Sequence, residues 1–428
     1  MAEAPAKPRR FGRRAMIVGG AAVVAGGIGV AALRKGDQGG AHDTYFLRLS
    51  KALRDAGIAH PVLVVDRQRL DHNIAAARKV LAPSRLPLRV VVKSLPSPNL
   101  IAHVAAGMGT NRLMVFNGAM LADMARLHPD ADLLLGKPLP ALEAAAFLRT
   151  HSPEAGAKVQ WLIDTPERLA QYAGIAQGIG RPVRVAFEID VGLHRGGFPD
   201  PESLARAVAQ ARANPLLSVS GLMGYDPHVV KMLDPAAAFA EAQDRYRKSI
   251  ASIRAIGIDP AGLTLNGAGS PTYALHAGKG TAANEVSVGS AFVKPVDFDV
   301  PTLEPHLPAA FIATPVIKAQ QRFRLPGYEW LSGPINFFDP NTEKGFFVYG
   351  GHWLATPVSP PGLEYNGLFG RSSNQELLTG SARVALRPDD YVFLRPNQSE
   401  ALFLQFGDIA VFDGQRIVDR WPTLPVSA

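Results

Sequence analysis

The sequence predicts an α/β fold: an eight-stranded β/α (TIM-type) barrel followed by a C-terminal antiparallel β domain. Two observations carry this. Between residues 62 and 266, short apolar runs alternate with Ala-, Leu- and Arg-rich stretches of helical spacing. After about residue 285 the helical spacing stops, and Gly, Pro and aromatic residues rise. Strands that are apolar at nearly every position belong to parallel sheets with both faces covered. The 428 residues are 47% hydrophobic and 19% charged, enough apolar material for a large core and inconsistent with global disorder.

Residues 1–40 read as an address rather than part of the fold. They hold seven basic residues and two acidic ones, so most of the net charge of +8 sits here. The remainder is nearly balanced and has no basic, aromatic-interleaved stripe, so no nucleic-acid partner is expected. The uncharged stretch Ala15–Leu33 would span about 28 Å as a helix, close to the hydrocarbon thickness of a bilayer. Basic residues crowd its N-terminal side. The pair Arg13-Arg14 before it resembles a twin-arginine export signal. The expectation is a twin-arginine-like signal or a membrane anchor. The protein would then be periplasmic, or anchored in the inner membrane facing the periplasm, with membrane contact only through this segment.

The barrel is expected over residues 44–284. Its eight strands are read as VLVV (62–65), RVVV (89–92), RLMVF (112–116), DLLL (132–135), VQWLI (159–163), VRVAFEI (183–189), LSVSGLM (217–223) and LTLN (263–266). An open doubly wound sheet is the alternative, but the GxGxxG fingerprint is absent after VLVV. The β domain is expected over 285–428, from runs such as GFFVYG, HWLAT, ARVAL, YVFLR, ALFLQF and IAVFD. The absence of Cys excludes disulfides, thiolate zinc sites and a Cys nucleophile.

Barrel chemistry sits at the C-terminal ends of the strands. Lys93 follows RVVV, so it would project from a strand mouth, where a partly desolvated lysine suits Schiff-base formation. The segment EIDVGLHRGGF supplies Asp190, His194 and Arg195, and GLMGYDPH supplies Tyr225 and His228. The segment LNGAGSPTY places Gly267, Gly269, Ser270 and Thr272 where free N–H groups and hydroxyls make an anion site. A lysine, an anion cradle, an arginine and an aromatic around one mouth are the needs of pyridoxal phosphate.

With PVLVVDRQRLDHNI, RVVVKS and NEVSVGS in the same order, these segments make a chain that resembles the alanine-racemase-fold pyridoxal-phosphate enzymes. Within them it is similar to the D-threonine aldolase and D-serine dehydratase branch. The resemblance covers roughly residues 44–300. It implies Lys93 as the Schiff-base lysine, Arg195 near the pyridine nitrogen and Tyr225 at the ring or substrate. Asn266, Gly267, Gly269 and Ser270 would bind on the phosphate side, and a homodimer is implied. Lyases of this branch carry PNH-x-C or PNH-x-D as a divalent-metal site. This chain reads PNQSE, placing Gln398 and Glu400 there. Two oxygen ligands could hold Mg or Mn weakly and make a poor zinc site.

The resemblance implies a lyase acting on D-3-hydroxy amino acids by aldol cleavage or dehydration. Lys93 would be its Schiff-base lysine, and His228 or Glu400 would assist at the substrate hydroxyl. A periplasmic amino-acid racemase is the alternative. A non-catalytic pyridoxal-phosphate carrier fits less well, because small carriers of this fold lack the β domain.

Overall fold

The structure is a computed structural model that describes residues 34–426 apart from Lys279 and Leu368. Residues 1–33, on which most of the export or anchor reading falls, lie outside the described residues. Among the described residues no helix is long and apolar enough to cross a membrane. The described chain forms two compact units. The larger comprises 44–314, 353–356 and 393–426, the smaller 34–43, 315–352 and 357–392.

In chain order the strands are β1 (Val62–Asp66), β2 (Leu88–Val91), β3 (Arg112–Val115), β4 (Asp132–Leu135), β5 (Val159–Ile163), β6 (Val183–Glu188), β7 (Leu217–Met223), β8 (Thr264–Gly267) and β9 (Glu285–Val288). They are followed by β10 (Ala310–Gln320), β11 (Lys344–Tyr349), β12 (Ala355–Ser359), β13 (Glu364–Tyr365), β14 (Gln375–Gly380), β15 (Tyr391–Pro396), β16 (Asp408–Phe412) and β17 (Ile417–Pro422). In the larger unit, β2 to β9 close a parallel barrel, β9 pairing with β2. The crossover helices begin with sequence-coded caps. Thr165, Asp200 and Asp234 each accept a backbone N–H of the following turn, and each precedes a proline at the first helical positions.

The barrel is the predicted one, shifted by one strand. VLVV is not a barrel strand. As β1 it pairs antiparallel with residues 310–313 of β10 and parallel with β16, and β17 continues that sheet. EVSV, expected to open the β domain, is the eighth barrel strand. The physical reason is burial on both faces. All five residues of β1 are buried, so it reads like a barrel strand. In β9, Glu285 and Ser287 alternate with valines because every second residue meets a polar barrel interior. The boundaries at 284 and 285 therefore move, and residues 393–426 also belong to the larger unit. In the smaller unit, residues 316–320 of β10 pair with β11, β11 with β14, and β14 with β13, all antiparallel. Two other expected strands differ. ALFLQF is helical, Glu400–Phe403 and then a 3-10 turn, and ARVAL forms no strand.

The lower barrel interior holds an ionic network. Arg89 is fully buried. Its Nε donates to Glu285 Oε1 at 2.6 Å, its Nη2 to Asp132 Oδ2 at 2.7 Å, and its Nη1 to the carbonyls of Leu113 and Asp132. Glu285 also accepts from Arg112 Nη1 at 2.6 Å and Asn266 Nδ2 at 2.8 Å. Burial alone would push the Glu285 carboxyl up, but Arg89 and the hydrogen bonds hold it below its ordinary value. Removing one member leaves an uncompensated buried charge. Glu285→Gln is expected to lower stability by about 3–5 kcal/mol, read as a drop in the urea midpoint. An unchanged midpoint would show that the network does not hold the barrel.

Candidate active site

Side chains alternate along a strand, so residues n, n+2 and n+4 face the same way. On β2 that series is Arg89 and Val91, and Lys93 follows two residues on, in the 3-10 turn Val92–Ser94. The first is in the ionic network and the other two line a cavity of about 410 Å³ at the strands' C-terminal ends. The volume is in the range of small-molecule sites. On β3, Met114 and Phe116 follow Arg112, and on β5, Asp164 follows Gln160. On β6, Glu188 follows Arg184. All four upper residues line the same cavity.

Lys93 is half-buried. Its Nζ lies 2.7 Å from Glu400 Oε1 and 4.7 Å from the centroid of the Phe116 ring. The four-residue helix that replaces the expected ALFLQF strand brings Glu400 to this point. Arg195 lines the cavity with its guanidinium carbon 4.9 Å from the Tyr225 ring centroid. The loop carrying Arg195 folds back on β6. Phe198 N–H donates to Glu188 O, and Asp190 accepts from Gly192 N–H, His194 N–H and the His194 ring. At Gly197, φ is +90° and a Cβ would lie 2.9 Å from Glu188 O, so only glycine allows the fold-back.

Ser94, Ser270 and Ser290 line one part of the cavity together with Gly289. Ser270 Oγ accepts from Gly289 N–H at 3.2 Å and Ala291 N–H at 3.0 Å. Its own hydrogen is then left to donate. Ser290 Oγ donates to Ser94 Oγ at 3.1 Å. A Cβ at Gly289 would come within 2.8 Å of Ser94 Cβ, and one at Gly269 within 2.6 Å of the Tyr225 ring. Those two glycines keep the hydroxyl group and the aromatic face open. This donor set, with the amine of Lys93, fits pyridoxal phosphate: hydroxyls for a phosphate, an amine for a carbonyl carbon, and arginine and tyrosine for a ring.

Lys93, Arg195, Tyr225, Gly269, Ser270 and Glu400 come together. Asn266 also lines the cavity, but its amide is committed to Glu285 and Ser287. The Gly269 N–H, expected to be free for an anion, donates to Thr272 Oγ1. Gly267 is not in the lining; a Cβ there would meet Ala283 and His276. His228 is outside the cavity, half-buried near Gly192, because the chain turns away after Tyr225 into a 3-10 turn. Gln398 is exposed and donates to Asp297 Oδ2 at 3.0 Å rather than joining Glu400. Among the described residues no group of three or more His, Asp or Glu is placed to hold a metal ion.

Sequence reasoning missed Phe116, Lys137, Asp164, Glu188, Ser94 and Ser290, all in the lining. The usable signal was the carboxylate that ends the otherwise mostly apolar run VRVAFE, at a strand's C-terminal end. Burial pushes the Glu188 carboxyl up to about 7, against the pull of Arg195 and with Asp164 and Asp190 adding to the rise. In the unfolded chain this group ionises near its ordinary value of 4.5. Native stability is therefore expected to fall as pH rises from about 4.5 to about 7. Glu188→Gln should remove that slope in urea titrations, and a slope that survives would mean that Glu188 ionises normally.

A family model described as "Alanine racemase, N-terminal domain" matches residues 65–295. A 3-hydroxy-D-aspartate aldolase from Paracoccus denitrificans is 26% identical over 149 residues, which are 34% of this chain and 38% of that protein. Solved structures share the fold. The D-threonine aldolase of Filomicrobium marinum superposes with a TM-score of 0.69 at 17% identity, covering 85% of this chain and 96% of that one. The D-threo-3-hydroxyaspartate dehydratase of Delftia sp. HT23 gives 0.68 at 18%, covering 86% and 98%. An alanine racemase of Bacillus anthracis gives 0.63 at 15%, covering 85% and 98%. The family match extends over more than half of a chain that folds as this barrel, so the protein belongs to the alanine racemase N-terminal domain family, whose members use pyridoxal phosphate.

Proposed function

We propose that the protein is a pyridoxal-phosphate-dependent lyase acting on D-3-hydroxy amino acids. The observation that carries this is the pairing of Lys93 with Glu400 at 2.7 Å, in a cavity also lined by Ser94, Ser270 and Ser290. When bound, the cofactor supplies an electron sink for the amino acid's α-carbon. Lys93 would hold it covalently, Ser94, Ser270 and Ser290 its phosphate, and Arg195 and Tyr225 its ring. The D configuration and the 3-hydroxyl come from the relatives, whose names specify D-threonine and 3-hydroxy-D-aspartate.

Glu400 is the carboxylate nearest the reacting amine, so it is the group for the substrate's β-hydroxyl. In aldol cleavage it takes the hydroxyl proton as the Cα–Cβ bond breaks. In dehydration it gives a proton to the departing hydroxyl. Neither role needs a metal, in keeping with Gln398 turned to Asp297. The racemase reading keeps one supporting observation: the Tyr225 phenol faces the same cavity and could act as a second base.

A panel of D- and L-amino acids, scored for both carbonyl release and chirality, separates the readings. Carbonyl release from D-3-hydroxy substrates is expected, and inversion of chirality without carbonyl product would establish the racemase instead. Glu400→Gln should lower turnover about a hundredfold with the cofactor still bound. Activity should resist chelators. Loss of wild-type activity on chelation, restored by Mn or Mg, would overturn the metal-free reading.

A further inference from the structure

We propose that residues 325–338 of the smaller unit form a membrane-docking surface, whose aromatic side chains enter the headgroup layer of a bilayer beside the exit of the apolar segment 15–33. The proposal rests on reading that segment as membrane-spanning. It starts from exposed aromatics that the fold does not use. Of the six large aromatic residues exposed among the described residues, Tyr328, Trp330, Phe337 and Phe338 lie within eleven positions. The 3-10 turn Glu329–Leu331 and the helix Ser332–Phe338 contain no buried residue at all. Their apolar side chains therefore lie outside the buried core, and exposed apolar residues clustered in this way mark a contact face.

What covers the face is indicated by where the N-terminal segment arrives. Residues 34–38 are pinned directly on it. Lys35 N–H donates to Phe338 O at 2.9 Å, and Gln38 N–H donates to Asn341 Oδ1 at 2.9 Å. Asn341 Nδ2 donates to Gly36 O at 3.0 Å. Lys35 Nζ lies 2.6 Å from Asp339, and the Arg34 guanidinium carbon sits 5.2 Å over the Phe337 ring. Arg34 is the next residue after the uncharged run ending at Leu33. A chain leaving a bilayer there must hold Phe337 and its neighbours within a few residues of the membrane surface. Trp and Tyr are the side chains that favour this layer, with an apolar ring and a polar edge. Arg34, Arg322 and Arg324 can reach anionic headgroups, as long basic side chains do. Glu329 Oε1 accepts from the Gly327 N–H at 3.0 Å, and Asp339 is paired with Lys35.

Tryptophan fluorescence tests this without removing any part of the chain. The protein has four tryptophans, and Trp161, Trp353 and Trp421 are at most 8% exposed while Trp330 is 73% exposed. The full chain is reconstituted in phosphatidylglycerol–phosphatidylethanolamine vesicles with brominated acyl chains, floated, and compared with Trp330→Phe. The Trp330 contribution should be quenched by about twofold and shifted to the blue relative to detergent solution. Trp330→Phe should float equally and lose that quenched component. If the chain floats and both proteins quench alike, the docking surface is refuted while the membrane segment stands. If the chain does not float, the spanning reading fails and the docking surface with it. Protection of Trp330 from acrylamide that depends on protein concentration, with no bromine quenching, would assign the face to a second copy and overturn the proposal.

Discussion

The arrangement depends on the Arg89–Glu285 pair across the seam where β9 meets β2. A barrel must choose one register on closing, and a one-residue slip would turn every side chain to the wrong face. The seam carries a guanidinium on one strand and a carboxylate on the other, both fully buried and both hydrogen-bonded to further partners. Slipped registers would leave these charges unpaired in a medium where that is costly. The pair therefore acts as a register device as much as a source of stability. Once it is set, alternation raises Val91 on β2 and Ser287 on β9 into the cavity, and Lys93 and Gly289, just past the strand ends, join them.

The hydroxyl side of the cavity is tied to the same seam by a second buried network. Asp226, next to Tyr225, accepts from Thr272 Oγ1 at 2.6 Å and lies 2.8 Å from His276 Nε2. Thr272 in turn accepts from Gly269 N–H, and Ser270 accepts from the chain just after β9. The loop after β8 is therefore clamped from both neighbouring strands. Gly269, expected to offer its N–H to an anion, instead uses it to hold the loop, while the Ser270 hydroxyl hydrogen is left to donate into the cavity.

The parts legible in the sequence were those set by local pattern. Seven of the eight barrel strands, Lys93 at a strand mouth and the Ser270 loop follow from apolar runs and turn residues. The first and last strands were misplaced because burial on both faces makes β1 look like a barrel strand, and because the polar interior makes β9 look unlike one. Glu400 was legible as a candidate by position, but not its pairing with Lys93. That contact joins residues 307 positions apart and depends on a helix where the sequence suggested a strand. His228 and Gln398 failed for a similar reason. Their side-chain directions are decided by tertiary contacts, the turn after Tyr225 in one case and Asp297 in the other.

Two lysines reach the cavity, Lys93 and Lys137, and only one can be the cofactor's attachment point. Lys137 is exposed, whereas Lys93 is half-buried against Phe116 and Glu400. The most direct test is to load the purified protein with pyridoxal phosphate, reduce it with borohydride, digest it and locate the pyridoxyl group by mass spectrometry. A single modified peptide carrying the label on Lys93 is expected. A label on Lys137, or none on either lysine, would contradict Lys93 as the attachment point.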